Sequence, residues 1–207
     1  MRLKMKNRFR KFMITRGLYP KHWLRSFRSG EYHYYNGLRA TFKKALPYLT
    51  EGRALDIGAG FGNETSVLLK NGYEVVATDV NLEAIKYLKK VAKTKNLQVF
   101  QQSLPELPEG KFDVIICEMV LHFLNASDTR SAIANMQQAT DRGGLNIIST
   151  YIDSQSIHKD PRLKGYFKFL LPPGELESLY SDWEVLFAGE KVNAMGHPSL
   201  RFIARKK

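Results

Sequence analysis

Three glycines at alternate positions, Gly58, Gly60 and Gly62, follow a short run with one acid in it, Ala54-Leu55-Asp56-Ile57. Glycine turns the backbone through positive φ and, lacking a Cβ, lets a ligand lie against the main chain. A helical pattern holding Val67, Leu68 and Leu69 comes next and stops at Gly72, so the glycines join a buried strand to a helix N-terminus. Such a junction cradles a nucleotide. A second apolar run, Glu74–Asp79, ends in an acid 21 positions after Gly58. A carboxylate there accepts both hydroxyls of a ribose as a bidentate pair. Its competing role is to cap the helical pattern over 81–92.

The spacing selects the nucleotide. A dinucleotide fingerprint needs a third glycine where this chain has Asn63. What stands here is D-x-G-x-G-x-G, from Asp56 to Gly62. It resembles the first motif of the class I S-adenosylmethionine (SAM) methyltransferases, in which the loop wraps the amino-acid end of a ligand without phosphates. The resemblance implies an α/β, Rossmann-like fold. It also implies SAM as cofactor, held by Asp56, Gly58, Ala59, Gly60, Gly62, Asp79 and Val80.

The elements that must position these residues alternate along the chain. With 207 residues there is one domain and room for a substantial core. After the first two strands come a third over 97–102 and a fourth over Phe112–Glu118, with a Pro/Gly-marked loop between them. A helix capped by Ser127 or Asp128 runs to Ala139, Gly143-Gly144 closes it, and 145–150 is a fifth strand. Residues 151–172 read as an irregular excursion and 173–180 as a short helix. Segments 183–192 and 199–205 form a closing hairpin. The expected sheet is seven-stranded and mostly parallel, with that hairpin antiparallel at its C-terminal end. Ligands of open α/β sheets bind outside the carboxyl ends of the strands. That rule gathers 58–62, Asp79, Ser103, Leu104, Glu118, Met119 and Tyr151 on one rim. Ser103 and Leu104 flank the adenine, although class I methyltransferases often carry an acid where Ser103 stands. Glu118, followed by Met119, either meets the methionine end of the cofactor or caps the turn after its strand.

The second half narrows the resemblance. Ile133-Ala134-Asn135-Met136-Gln137 with Gly143-Gly144 is similar to the tellurite-resistance (TehB-type) methyltransferases. So are Phe169, Gly174-Glu175-Leu176, Tyr180 and Trp183, and the terminal Leu200-Arg201-Phe202 with Ala204 to Lys207. The similarity covers about residues 32–207. It implies methylation of chalcogen oxyanions by SAM, with a basic, histidine-bearing patch near the last strands. The family's adjacent His-Arg pair is not matched as a pair; His197 and Arg201 stand in that neighbourhood.

Acceptor chemistry follows from charge. An anionic acceptor needs a cationic seat, which Arg201 supplies as a bidentate clamp. A neutral hydroxyl or amine needs a base, for which Glu118, His122, His158 and His197 are candidates. His122 either faces the cleft or is a hydrogen-bonded core residue, and His197 either joins the site or belongs to a turn. No Cys, His, Asp or Glu cluster has metal-site spacing, so no metal is expected. The one cysteine, Cys117, lies among Val and Ile as a small core residue rather than a nucleophile. With no run of membrane-spanning length and no apolar stretch behind Met1, a cytoplasmic location is expected.

Charge is concentrated at one end. Residues 1–44 hold 13 Lys+Arg against one acid, whereas 45–207 hold 19 of each, so the net +12 belongs to the N-terminal segment. The chain is therefore divided into a basic extension, 1–44, and a SAM-binding domain, 45–207. Met5, Phe9, Phe12 and Met13 share a helical face surrounded by Lys and Arg. The extension either folds over the cleft as a lid, lies on an anionic membrane surface, or contacts RNA phosphates through residues 1–30. In the last case Trp23, Phe27, Tyr32, Tyr34 and Tyr35 would stack bases. The expected function is SAM-dependent methyl transfer to a small molecule, a chalcogen oxyanion or a thiol. The alternatives are an RNA or protein methyltransferase holding its substrate with the extension, and a SAM-binding protein without turnover.

Overall fold

A computed structural model describes residues 39–91 and 94–207. The amphipathic pattern around Met5–Met13, the aromatic residues between Trp23 and Tyr35, and the membrane and RNA contacts assigned to 1–30 lie outside the described residues. Helix α1, Ala40–Ala45, buries Thr41, Phe42 and Ala45 and turns Lys43 and Lys44 outward. It packs on strands from the C-terminal half of the sheet.

The sheet follows from alternating units. Strand β1 (Arg53–Ile57) leads through the glycine loop to helix α2 (Asn63–Lys70). Strand β2 (Glu74–Asp79) precedes helix α3 (Leu82–Val91), whose N-cap is Asn81, its side chain accepting from the Glu83 amide at 2.9 Å. Strands β3 (Leu97–Gln101) and β4 (Phe112–Glu118) come before helix α4 (Ala126–Ala139). Strand β5 (Thr140–Tyr151), short helices α5 (Gln155–Lys159) and α6 (Glu175–Leu179), and strands β6 (Glu184–Val192) and β7 (Pro198–Arg205) complete the chain. The seven strands lie in the order β3-β2-β1-β4-β5-β7-β6. Pairings from β3 to β5 are parallel; β7 runs antiparallel to both β5 and β6. The expected fold class therefore stands. Central strands are continuous apolar runs because helices cover both faces of a parallel sheet.

Three boundaries differ from expectation. Helix α4 is capped by Asn125, whose Oδ1 accepts from the Asp128 amide at 2.8 Å, while its Nδ2 donates to the Asp128 carboxylate. Asn, Ser and Asp are all good caps, and the reciprocal pair decides for the first. Strand β5 begins at Thr140, with Gly143-Gly144 inside it. Gly143 donates to the Lys206 carbonyl, and Gly144 accepts from the Lys206 amide. The glycines form an irregular stretch of strand rather than a stop. Residues 152–171 are an organised lobe. Ile152 bridges Leu171, the Asp153 amide donates to the Leu171 carbonyl, and Lys168 donates to the His122 carbonyl at 3.1 Å.

One buried polar chain ties β5 to the C-terminal elements. Thr140 Oγ1 donates to Asn146 Oδ1, and Asn146 Nδ2 donates to the Tyr180 hydroxyl, both at 2.7 Å. All three residues are buried, so removal of one partner strands another. Tyr180→Phe is expected to cost about 1–3 kcal/mol. The check is urea unfolding: the midpoint falls while the slope is unchanged.

Candidate functional site

The site begins where the first strand ends. Gly58 and Gly62 have φ of 68° and 75°, and a Cβ at either would come within 2.4 Å of Val120 Cγ2 and Leu88 Cδ2 respectively. Both positions thus need glycine for conformation and for space. Gly62, having no side chain, cannot cap helix α2, so Asp56 does so from the strand below. Its Oδ2 accepts from the Thr65 amide at 3.1 Å and from Thr65 Oγ1 at 2.6 Å. Asp56 is 3% exposed and is a scaffold for the loop. Burial pushes its carboxyl up to about 7, and the neighbouring carboxylate of Glu64 adds to the rise.

Asp79 completes the cradle. Its Oδ2 accepts from the Gly60 amide at 2.9 Å and its Oδ1 from the Asn81 amide at 2.7 Å. The capping of α3 falls to Asn81, which leaves Asp79 to the loop. Each carboxylate oxygen accepts more than one hydrogen bond, so two acceptor positions stay available to a ribose diol. Burial raises this carboxyl above its ordinary range, against the amides that donate to it. Val80, beside it, is 42% exposed and offers an apolar face to a purine. Leu104 is buried at the rim beyond β3, and Ser103 before it is exposed, with its hydroxyl turned to the Leu104 carbonyl at 3.1 Å.

Register extends the site across the sheet. Asp79 pairs with Gln101, Glu118 with Ser149, Ser149 with Arg201, and Arg201 with Gly189. Ile57 pairs with Thr78 and Cys117, so Gly58 continues this row between Asp79 and Glu118. Paired residues point to one face. Glu118, Ser149 and Arg201 therefore stand side by side, one strand spacing of about 4.8 Å apart at each step. Glu118 is 5% exposed, and neither carboxylate oxygen has a hydrogen-bond partner. Burial pushes it up to about 7. The Arg39 guanidinium opposes the rise, Glu64 adds to it, and the nearby hydroxyls of Thr41 and Ser149 lower it without bonding geometry. Met119, directly after it, has φ of 61°, which turns the chain sharply off the strand end. Arg201 is half-buried, and its side chain makes no ion pair or hydrogen bond among the described residues.

The histidines are separated. His122 is buried above β4, its Nδ1 3.2 Å from Thr150 Oγ1, with the rings of Tyr151 and Phe167 edge-on to it. His158 pairs with Asp153 on an exposed surface of the lobe. His197, at the turn between β6 and β7, is 2% exposed and holds Asp160 Oδ2 through Nε2 at 3.1 Å. Asp160 also takes a bidentate contact from Arg162, Nε donating to Oδ1 and Nη2 to Oδ2. The structure thus brings Asp79, the glycines, Glu118 and Arg201 to one rim, and ties His197 to the lobe. Burial pushes the Cys117 thiol up, so it stays protonated. Sequence reasoning passed over Arg39 and Glu64. The Arg39 amide donates to Glu64 Oε1 at 2.9 Å, which ties the start of α1 to the first turn of α2.

A glycine cradle, a strand-end acid for a ribose and an apolar shelf for a purine fit SAM. With this strand order they define a class I SAM methyltransferase fold. A profile of the family described as tellurite resistance protein TehB matches residues 27–198, and the chain belongs to that family. The probable SAM-dependent methyltransferase TehB of Haemophilus influenzae (strain 10810) is 29% identical over 155 residues, 73% of this chain and 52% of that protein. An uncharacterized methyltransferase of Staphylococcus carnosus (strain TM300) is 32% identical over 138 residues, 64% of this chain and 65% of that protein. The crystal structure of TehB from Haemophilus influenzae superposes with a TM-score of 0.69 at 27% identity, covering 84% of this chain and 64% of that one. The chain spans about half the length of the first two TehB relatives. Among the described residues no group of His, Cys, Asp or Glu is placed to hold a metal, and no helix is long and apolar enough to cross a membrane.

Proposed function

We propose that the protein transfers the methyl group of SAM to a small anionic acceptor, a chalcogen oxyanion or a thiolate, seated by Arg201. The supporting observation is that Arg201 is half-buried and unpaired, on the same face as Glu118 and two strands from it. A guanidinium left without a carboxylate in a strand-end row is a fork for a bidentate anion. Membership of a family named for tellurite resistance points to the same chemistry.

When bound, SAM supplies a methyl carbon made electrophilic by the sulfonium. The protein's share is positioning and exclusion of water. Gly58 to Gly62 wrap the amino-acid end, Asp79 holds the ribose, and Arg201 holds the acceptor. An acceptor already anionic needs no base to lose a proton. For a thiol, His122, oriented by Thr150, is the base on this rim. The lobe 152–171 brings Tyr166 and Phe167 against His122 and its neighbour Phe123, shielding that side from solvent.

The test is an acceptor screen with methyl-labelled SAM, covering tellurite, selenite, thiols, small phenols and RNA. Label is expected in the chalcogen or thiol acceptors. Arg201→Met is expected to raise the acceptor KM about a hundredfold, the loss of two charge-assisted contacts, with SAM titration unchanged. Label in RNA or phenol alone, or an indifferent Arg201→Met, would reject this reading.

A further inference from the structure

Positive charge in the folded domain gathers on the lobe. Residues 152–171 hold four Lys and Arg against two Asp, whereas the rest of 45–207 holds 15 against 17. The lobe is thus the positive part of a domain that is otherwise slightly negative. Its acids are already engaged, Asp160 by Arg162 and His197, and Asp153 by His158. Lys159, Lys164 and Lys168 are exposed, and none of the three has an ion-pair partner among the described residues. Lys159 meets Gln155 Oε1 at 3.5 Å, a neutral amide that leaves its charge uncompensated.

Lysines of this kind ordinarily make a solvated face. Here the fold fastens them beside the acceptor seat. On one side the Lys168 amide donates to the His122 carbonyl at 3.1 Å, just past the end of β4. Phe167 packs on His122 and Tyr166 on Phe123, with ring centroids 5.0 and 5.5 Å apart. On the other side Ser156 Oγ donates to the Gly196 carbonyl at 2.7 Å, and Asp160 meets His197 at 3.1 Å, in the turn that leads into β7. Asn193 Oδ1 braces that turn by accepting from the amides of Met195 and His197. Tyr151 pairs with Ser199 and Ser149 with Arg201, so the turn lies on the same rim as the end of β4. Held at both places, the lobe spans the end of β5, immediately outside the row Glu118, Ser149 and Arg201.

We propose that the lobe is an electrostatic collector for the acceptor, in which Lys159, Lys164 and Lys168 concentrate small oxyanions at the mouth of the site and pass them to Arg201. This rests on the anionic-acceptor reading and deepens it, because Arg201 accounts for the seat and not for how a dilute anion reaches it. A positive potential beside a low-dielectric wall raises the local concentration of an anion, and its rate of encounter, by about ten- to a thousandfold at low ionic strength. The packed rings of Tyr166 and Phe167 supply that wall. The effect acts on binding and not on the chemical step, so it lowers KM and leaves kcat alone. It fades with salt, because exposed charges are screened beyond about 10 Å at 0.1 M and about 3 Å at 1 M.

Initial rates of the full chain with methyl-labelled SAM, and selenite or tellurite as acceptor, test the collector. The triple variant Lys159→Gln, Lys164→Gln, Lys168→Gln is expected to raise the acceptor KM about tenfold at low ionic strength, with kcat unchanged, and to match wild type at 1 M salt. A control takes the same charge from elsewhere: Lys70→Gln, Lys89→Gln, Lys90→Gln, in the last turns of α2 and α3, at the edge of the sheet away from the rim. It keeps the charge of residues 1–44 and is expected to shift KM by no more than about twofold. All six side chains are exposed, so both variants are expected to melt, and to titrate with S-adenosylhomocysteine, as wild type does. A wild-type KM in the lobe variant, an equal rise in the control, or a loss confined to kcat overturns the collector and leaves the seat at Arg201 standing. If wild type labels neither selenite nor tellurite, the anionic-acceptor reading falls and the collector with it.

Discussion

Replacing Asp79 with alanine weakens SAM binding by about a hundredfold or more in a calorimetric titration, with the fold intact by circular dichroism. The expectation rests on two separate losses. The first is direct: a carboxylate accepting two ribose hydroxyls contributes about 1.5–3 kcal/mol for each charge-assisted bond. The second is organisational. Asp79 Oδ2 holds the Gly60 amide and Oδ1 the Asn81 amide, so it joins the glycine loop to the start of α3. Gly60 lies in the left-handed region, with φ of 56°, and loses its anchor when the carboxylate goes. Asp79→Asn separates the two losses. One amide oxygen can keep one of the backbone bonds, while the NH₂ group must face a donor at the other. Its affinity should fall between those of wild type and Asp79→Ala. An Asp79→Ala protein that titrates with SAM as wild type does would remove Asp79 from the ribose and leave it a loop fastener.

That distinction marks how far the sequence could be read. Strands β1, β2 and β4 were legible because they are short apolar runs ended by Asp56-Ile57, Asp79 and Glu118, and a doubly covered parallel strand has that pattern. The cradle was legible because glycine at alternate positions has few other uses at a strand end. The roles inside the site were less visible. Asp56 reads as a ligand contact from its place in the motif, but it caps α2 because Gly62 brings no side chain of its own. His197 pairs with Asp160, 37 positions earlier, and Asn146 with Tyr180, 34 positions later. Nothing in local periodicity reports such pairings, since they exist only once the lobe and the hairpin close over the sheet. Arg39 and Glu64 escaped for the same reason. Each looks like a solvated charge on a helix, and only the approach of α1 to α2 buries Glu64 and gives it the Arg39 amide. The start of β5 was misplaced by a different effect: a glycine pair that usually ends a helix here sits within a strand held by Lys206.

The buried acids also predict how stability responds to pH. In the folded protein the carboxyls of Asp56 and Glu118 are each pushed up to about 7, chiefly by burial, whereas in the unfolded chain they return to about 4. Between about pH 4 and pH 7 the folded state therefore holds protons that the unfolded state has released. Stability changes with pH as the protons bound unfolded minus those bound folded, which is negative here, so stability falls as pH rises. Each such group contributes a slope of about 1.4 kcal/mol per pH unit while it alone differs between the two states. The two share one cluster with Glu64, and the protonation of either eases the other. A combined loss of about 2–4 kcal/mol on going from pH 5 to pH 8 is expected for the ligand-free protein. Ion-paired acids do not mask it. Asp160, held down at about 2 by Arg162, titrates below this window. Urea unfolding at pH 5, 6, 7 and 8 measures the slope, and Asp56→Asn or Glu118→Gln should flatten it, because an amide keeps the shape and carries no charge. Stability that is level or climbs over this range would mean that both carboxylates are ionised in the folded, ligand-free protein. In that case solvent or a cation already neutralises the cluster before any cofactor arrives.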